Sequence, residues 1–162
     1  MIKIKRGLDL PLTGAPVQQL GGVCSVRSVA VLGADYHGLM PTMKVAEGER
    51  VVKGQTLFVD KKQPKVNFTA PVTGRVRAIN RGARRVFQSL VIDIEAGADD
   101  QLEFRAYNRD QLQYLNRDGV IEQLLASGLW TAIRVRPFSK VANPDDNVSA
   151  IFVNAMDSNP LA

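Results

Sequence analysis

Three groups of basic side chains in this sequence are of types that do chemistry. Lys61 and Lys62 are adjacent in "LFVDKKQPKVNF". An exposed lysine amine can carry an acyl group through an amide bond, or it can be plain solvated charge. Arg84 and Arg85, with Arg75, Arg77 and Arg81 near in sequence, form a cluster that suits phosphate. Arg134, Arg136 and Lys140 surround Pro137-Phe138 in "IRVRPFSKV". On an extended segment they place three positive charges on one strip, which fits a carboxylate, a phosphate or the acidic surface of a partner. Arg84, Arg85, Arg134, Arg136 and Lys140 are therefore the candidate docking residues, with solvated surface charge as the competing explanation.

Other reactive types are too sparse to build a catalytic centre. Cys24 is the only cysteine and His37 the only histidine, which removes internal disulfides, cysteine clusters and multi-histidine metal sites. His37, in "ADYHGLMP", reads as an exposed loop residue. Asp99-Asp100 and Asp145-Asp146 are adjacent pairs. Neighbouring carboxylates point apart more often than together, so acid–base catalysis is not indicated. No glycine-rich phosphate loop occurs, and no acidic cluster suits sodium. The sequence predicts no catalytic, cofactor-binding or metal-ligating residue here.

Composition is that of a soluble globular protein, with 45% apolar and 23% charged residues. The net charge of +5 is uneven: residues 1–100 carry 15 Lys/Arg against 9 Asp/Glu, and residues 101–162 carry 6 against 7. A positive face can serve nucleic acid, anionic lipid or an acidic protein. Nucleic-acid modules add exposed aromatics for stacking, and aromatics are only 6% of this chain; nucleic acid is not an expected partner. No window approaches the roughly eighteen apolar residues of a membrane span, and the basic N-terminus is followed by no signal-like apolar stretch. Cytoplasmic residence follows as the expectation, with membrane contact only through partners.

The elements that must position these side chains begin with a strand-like start at Ile2 and Ile4 and a Gly/Pro-rich loop to residue 22. A β-branched run at residues 23–32 is a predicted strand. Short strands are predicted around Leu57-Phe58-Val59, Val66-Asn67-Phe68, Val76 to Ile79 and Leu90 to Ile94, with glycine turns between them. Setting Gly48 over Gly82 also aligns Arg50 with Arg84, Val52 with Val86 and Leu57-Phe58 with Val91-Ile92. Such self-similarity marks a duplicated β unit. The unit, with "GQTLF" and "APVTGRV", resembles the biotinyl/lipoyl carrier fold, a barrel-sandwich hybrid. That fold presents a modified lysine at a tight hairpin between its halves, and Lys61 or Lys62 would be that lysine. Three features argue against attachment. The connection "DKKQPKVNFTAP" reads as longer than the carrier hairpin, it contains Pro64, and neither lysine has the usual distance to Ala70-Pro71.

After "EAGADDQ" the spacing turns helical. Asp110 is predicted to cap a short turn through Leu115, and Asp118 to cap a helix that Gly128 stops. "RVRPFSKV" reads as extended. Residues 150–153 form an apolar run of buried-strand type, leading into a polar loop at residues 154–160. In open α/β folds a helix follows such a loop. The chain stops at that place, which reads as the front part of a longer protein. The predicted organisation is a β-rich barrel-sandwich domain over residues 1–100, then over 101–162 a helical linker and the first strand of a truncated Rossmann-like α/β domain.

The strings "MIKIKRGLDLPLTGAP", "GLMPTMKVAEGERVVKGQTLFVDKK", "FTAPVTGRVRAINRGARRVFQSLVI", "SGLWTAIRVRPFSKV" and "AIFVNAMDSNPLA" closely resemble the A-subunit family of bacterial sodium-translocating NADH:quinone oxidoreductases. The resemblance runs the length of the chain. It implies a peripheral subunit on the cytoplasmic side of the inner membrane, partnered by the other components of the membrane-bound complex. NADH, flavins, ubiquinone and Na+ would then act at the level of the complex. Ubiquinone is a candidate ligand of the longer subunit, and no cofactor is implied for this stretch. A weaker resemblance reaches the C-subunit of Rnf-type complexes and the flavin-carrying, NADH-binding subunit of respiratory complex I. Those relatives place a glycine-rich phosphate cradle where this chain has "WTAIRVRPF", so flavin and NADH sites are not carried over.

Overall fold

The computed structural model describes residues 13–14, 17–19 and 21–153. The expected strand at Ile2 and Ile4 and the loop at residues 154–160 lie outside the described residues. Two compact units are distinguished: Ser25–Asp146, and a second composed of Met1–Cys24 with Asn147–Ala162. In the second unit residues 150–153 do not form the expected buried strand, since Ile151, Phe152 and Val153 are 75%, 94% and 87% exposed. A strand exists through its ladder partners, and no described residue pairs with this run.

Unit Ser25–Asp146 is built on two antiparallel sheets. Strands β1 (Ser28–Leu32), β7 (Phe87–Ile94), β6 (Gly74–Arg81) and β3 (Arg50–Val51) form one, in that order; β2 (Pro41–Met43), β4 (Thr56–Asp60) and β5 (Gln63–Thr69) form the other. This is the expected barrel-sandwich arrangement. Period-two sequence drives it: along β6 Val76 is buried while Arg75 and Arg77 are exposed, which places apolar side chains between the sheets and the basic ones outside. Phe58 is fully buried at the centre, stacked on Phe68 at 4.7 Å and edge-on to Phe87 at 5.2 Å. Burying a phenylalanine contributes about 1.5–3 kcal/mol. Gly74 is required by close approach, because a Cβ there would run into the Asp93 carbonyl oxygen on β7.

The aligned strings fall in opposite sheets, Leu57-Phe58 in β4 and Val91-Ile92 in β7. The aligned glycines differ: Gly48 has φ +83°, and Gly82 has φ −89°. Likewise Arg50 lies in β3 but Arg84 in a 3-10 turn. Of the aligned positions, only Leu57-Phe58 and Val91-Ile92 are strand residues on both sides of the alignment.

The largest departure from expectation is the connection after β4. Asp60 pairs directly with Gln63, so the hairpin turn is Lys61 and Lys62 alone. Pro64 does not break the strand, because β5 is an edge strand, where a missing N–H is tolerated. Irregular register at Thr56/Phe58 and Val59/Asp60 takes up the extra length within the ladder. Asp60 Oδ1 accepts from the Lys62 N–H at 3.1 Å, and the Lys61 N–H donates to the Met40 carbonyl at 2.8 Å.

Beyond the sheets, α1 (Arg109–Leu112) is capped by Asn108 in a reciprocal box with Gln111, not by Asp110. Helix α2 (Arg117–Ser127) is capped by Asn116, whose Oδ1 accepts from the Gly119 N–H at 2.8 Å. Asp118 sits in the first turn instead, where its charge still suits the helix N-terminus. Gly128 ends α2 as expected, at φ +79°. Strand β5 holds that end: Asn67 Nδ2 donates to the Leu125 carbonyl at 3.1 Å and Thr69 Oγ1 to the Ser127 carbonyl at 3.2 Å. The Thr69 bond satisfies a carbonyl of the last turn, and the Leu125 carbonyl also accepts from the Gly128 N–H at 3.3 Å. A 3-10 turn (Leu129–Ala132) follows, then a hairpin of β8 (Arg134–Val135) and β9 (Lys140–Val141). "RVRPFSKV" is therefore folded back on itself, not one extended strip. Trp130 is buried beside it, with Nε1 donating to the Ala142 carbonyl at 2.8 Å.

Candidate functional site

The β8–β9 hairpin brings its basic residues against the loop after β1. Arg134 Nη1 donates to the Asp35 carbonyl at 3.0 Å and to the Ser139 carbonyl at 3.3 Å. Its guanidinium lies over the Tyr36 ring at 4.8 Å, and Tyr36 in turn meets Phe68 edge-on at 4.8 Å. Arg134 is thus a structural clamp between two elements, with Nη1 engaged inside the fold. Arg136 Nη1 donates to Ser139 Oγ at 3.1 Å, and Lys140 Nζ sits 5.8 Å from the Phe138 ring centre. Folding as a hairpin, rather than as a strip, gives the three cations unequal roles.

His37 is exposed, as its sequence setting predicts, and its ring stacks with Phe138 at 6.1 Å and 18°. His37 also lines a cavity of about 190 Å³, together with Tyr36, Leu39, Phe68, Lys62, Gln63 and Lys140 among others. Asp60 also lines it, and its Oδ1 already accepts from the N–H groups of Lys62 and Met40. Sequence reasoning treated Tyr36, His37, Lys62 and Gln63 as unrelated to Arg136 and Lys140. Alternation and motif spacing carry no signal for a meeting between the β4–β5 turn and a hairpin some eighty residues later.

Arg84 and Arg85 lie on the exposed 3-10 turn between β6 and β7, with φ of 54° and 60°. Non-glycine residues reach this left-handed region only at a cost of about 1–2 kcal/mol each. Gly33, leaving β1, abuts Phe87 at the start of β7. The arginine turn and the Asp35–His37 loop therefore leave the four-stranded sheet at the same end. No hydrogen bond or ion pair among the described residues links Arg84 or Arg85 to the β8–β9 hairpin.

Elsewhere a larger open groove of about 630 Å³ runs between α2, β5 and the Pro144-Asp145 loop. Its lining sets Lys65 and Arg117 against Asp118, Glu122 and Asp145, with Lys65 paired to Asp145 at 2.6 Å. At the opposite end of the four-stranded sheet Arg50 bridges Glu95 at 2.6 Å and Asp100 at 2.8 Å. Hydrogen bonds donated to those two carboxylates raise the Arg50 pKa, and the Arg50 guanidinium holds the Asp100 carboxyl below its ordinary value.

A flavin or dinucleotide phosphate needs free backbone N–H groups at the segment after α2. The Thr131 and Ile133 N–H groups are already spent on the Gly128 and Trp130 carbonyls, at 3.2 and 3.0 Å. These residues do not fit such a phosphate. Among the described residues no helix is long and apolar enough to cross a membrane.

Two sheets closed around a phenylalanine core, with a basic and aromatic edge, define a barrel-sandwich hybrid module. Residues 2–95 match the model of the NqrA N-terminal barrel-sandwich hybrid domain, and residues 115–162 match that of the NqrA second alpha/beta domain. The chain belongs to the NqrA family. Over all 162 residues it is 57% identical to the A-subunit of the Na(+)-translocating NADH-quinone reductase of Pseudomonas aeruginosa strain UCBPP-PA14. It is 58% identical to that of Klebsiella pneumoniae strain 342, and 53% to that of Haemophilus influenzae strain PittGG. The chain spans 36% of the length of each of these relatives.

Proposed function

We propose that this chain is the N-terminal part of a peripheral subunit of a respiratory sodium pump, which couples NADH oxidation and ubiquinone reduction to Na+ export. The observation that carries this is identity of more than half, over the whole chain, to proteins named as that subunit. Residues 1–100 supply the barrel-sandwich scaffold, and residues 101–162 lead into the second domain. This stretch has no redox centre of its own in this reading. NADH, flavins, ubiquinone and Na+ belong to the complex, and ubiquinone is a candidate ligand of the longer subunit. The pump's other subunits hold the chain to the cytoplasmic side of the bacterial inner membrane.

Docking is assigned to the end that carries Arg84, Arg85, Arg136 and Lys140, with Arg134 as the clamp that shapes it. Exposed Val86 and Phe138 beside these charges support an interface, because they add apolar contact to a charged rim. The test is co-purification with the membrane subunits. Reversing Arg84, Arg85, Arg136 and Lys140 to Glu is expected to strip the chain from the complex and lower quinone reductase activity. Normal assembly and activity in that variant would sink the assignment.

A second reading is favoured by one observation. The two-residue turn at Lys61-Lys62 is where a carrier domain displays its modified lysine. Intact mass after expression in a lipoylating and biotinylating host decides it, and an unmodified mass removes it.

A further inference from the structure

We infer that the cavity between the Tyr36–Leu39 loop, the Lys61-Lys62 turn and β9 receives one aromatic side chain, flanked by carboxylates, from a segment of a partner protein. This rests on the docking reading above and names what that edge binds. Size selects the occupant first: about 190 Å³ is below the roughly 300–1,000 Å³ of small-molecule and cofactor sites. It suits a single ring. The walls supply apolar and aromatic faces from Tyr36, Leu39 and Phe68, and the lining His37 carries Phe138 stacked on its ring. Phe138 is 64% exposed, with its ring against His37 and Lys140.

Charge selects the neighbours of that ring. Lys62 and Lys140 line the cavity and Arg136 follows on the same hairpin, while the one lining carboxylate, Asp60, is engaged by two backbone N–H groups. Acidic residues on either side of the ring would meet a lining of net positive charge, two lysines against the single Asp60 carboxylate. Gln63 narrows the ring type. Its Oε1 is buried with no hydrogen-bond partner among the described residues, and a buried acceptor left unpaired is costly. A tyrosine hydroxyl or an indole N–H can fill it once the amide turns toward the cavity, whereas a phenyl ring cannot. Tyrosine and tryptophan are also the side chains that most often anchor interfaces.

The test titrates the full chain with a fluorescent peptide, Glu-Asp-Tyr-Glu-Asp, against the same peptide with Ser in place of Tyr. Saturable binding is expected that weakens with added salt. It should fall about tenfold or more in Lys62→Glu and in Lys140→Glu, and similarly with the Ser peptide. Unchanged near-ultraviolet dichroism from buried Trp130 certifies folding in each variant. No saturable binding, equal binding of the Ser peptide, or indifference to both lysine reversals would each overturn the inference. So would binding to phosphatidylglycerol vesicles, lost in the same variants, without peptide binding; the edge would then be a lipid contact. If the peptide binds as stated but the chain co-purifies with no membrane subunit, the pump reading fails and the pocket stands. If the chain assembles normally and the peptide does not bind, the pocket fails and the pump reading stands.

Discussion

The inter-sheet core and the basic edge are made of different kinds of residue, and they fail in different ways. Around Phe58 the neighbours are apolar and enclosed, so shape decides and a lost methylene is felt throughout. At the edge, Arg84, Arg85, Arg136 and Lys140 face water, where charge is cheap to hold and easy to exchange. The contrast makes stability and the proposed docking separable by substitution. Variants can therefore be chosen to damage one and spare the other.

The largest effect should come from the centre of the core. Phe58→Ala is expected to cost about 3–5 kcal/mol by urea denaturation, because the stack with Phe68 and the edge contact with Phe87 vanish together. Next is Gly128→Val. It forces a β-branched residue to φ +79° and drives its Cβ into Thr69, for a loss of about 2–4 kcal/mol by the same measurement. Trp130→Phe removes the donor to the Ala142 carbonyl and should cost about 1–3 kcal/mol, read as a fall in Tm. Arg136→Glu with Lys140→Glu should change stability by no more than about 0.5 kcal/mol while weakening co-purification with membrane subunits. A destabilisation as large as that of Trp130→Phe would erase the division between core and edge.

The smallest effect is the pH dependence at the far end of the sheet. Asp100 titrates below its ordinary value near 3.8 in the folded chain, chiefly through the hydrogen bond from Arg50. A depressed acid stabilises the fold above its unfolded pKa, and that contribution is lost as pH falls through the folded one. Arg50→Gln should therefore flatten the acid limb of a denaturation-versus-pH curve, weakly and less at high salt, since the pair is about half exposed. An unchanged acid limb would show that the bridge couples nothing to folding.

Much of the scaffold was legible because its signals are local. Strand positions follow from apolar alternation, and Gly128 ends α2 because only glycine takes that backbone readily. The caps were misplaced by two residues, since Asn108 and Asn116 compete with Asp110 and Asp118 within one turn. Geometry, not residue type, selects the winner. The connection at Lys61-Lys62 reads as long in sequence, and Pro64 within it is a second objection to a tight hairpin. Edge position and bulges removed that objection, and neither is written in the local sequence.

The sequence by itself determined the main strands of the two large sheets, the charge of the edge, and a family resemblance carried by strings along the whole chain. Side-chain period, turn chemistry and net charge are properties of neighbouring residues, and they survive without the fold. Only the tertiary structure decided that Arg134 is a clamp across 99 positions to Asp35. It alone placed Lys62, Gln63, Tyr36 and Lys140 around one cavity. Those meetings depend on sheet closure, which is set by the packing of the whole core and leaves no periodic trace in the residues that meet.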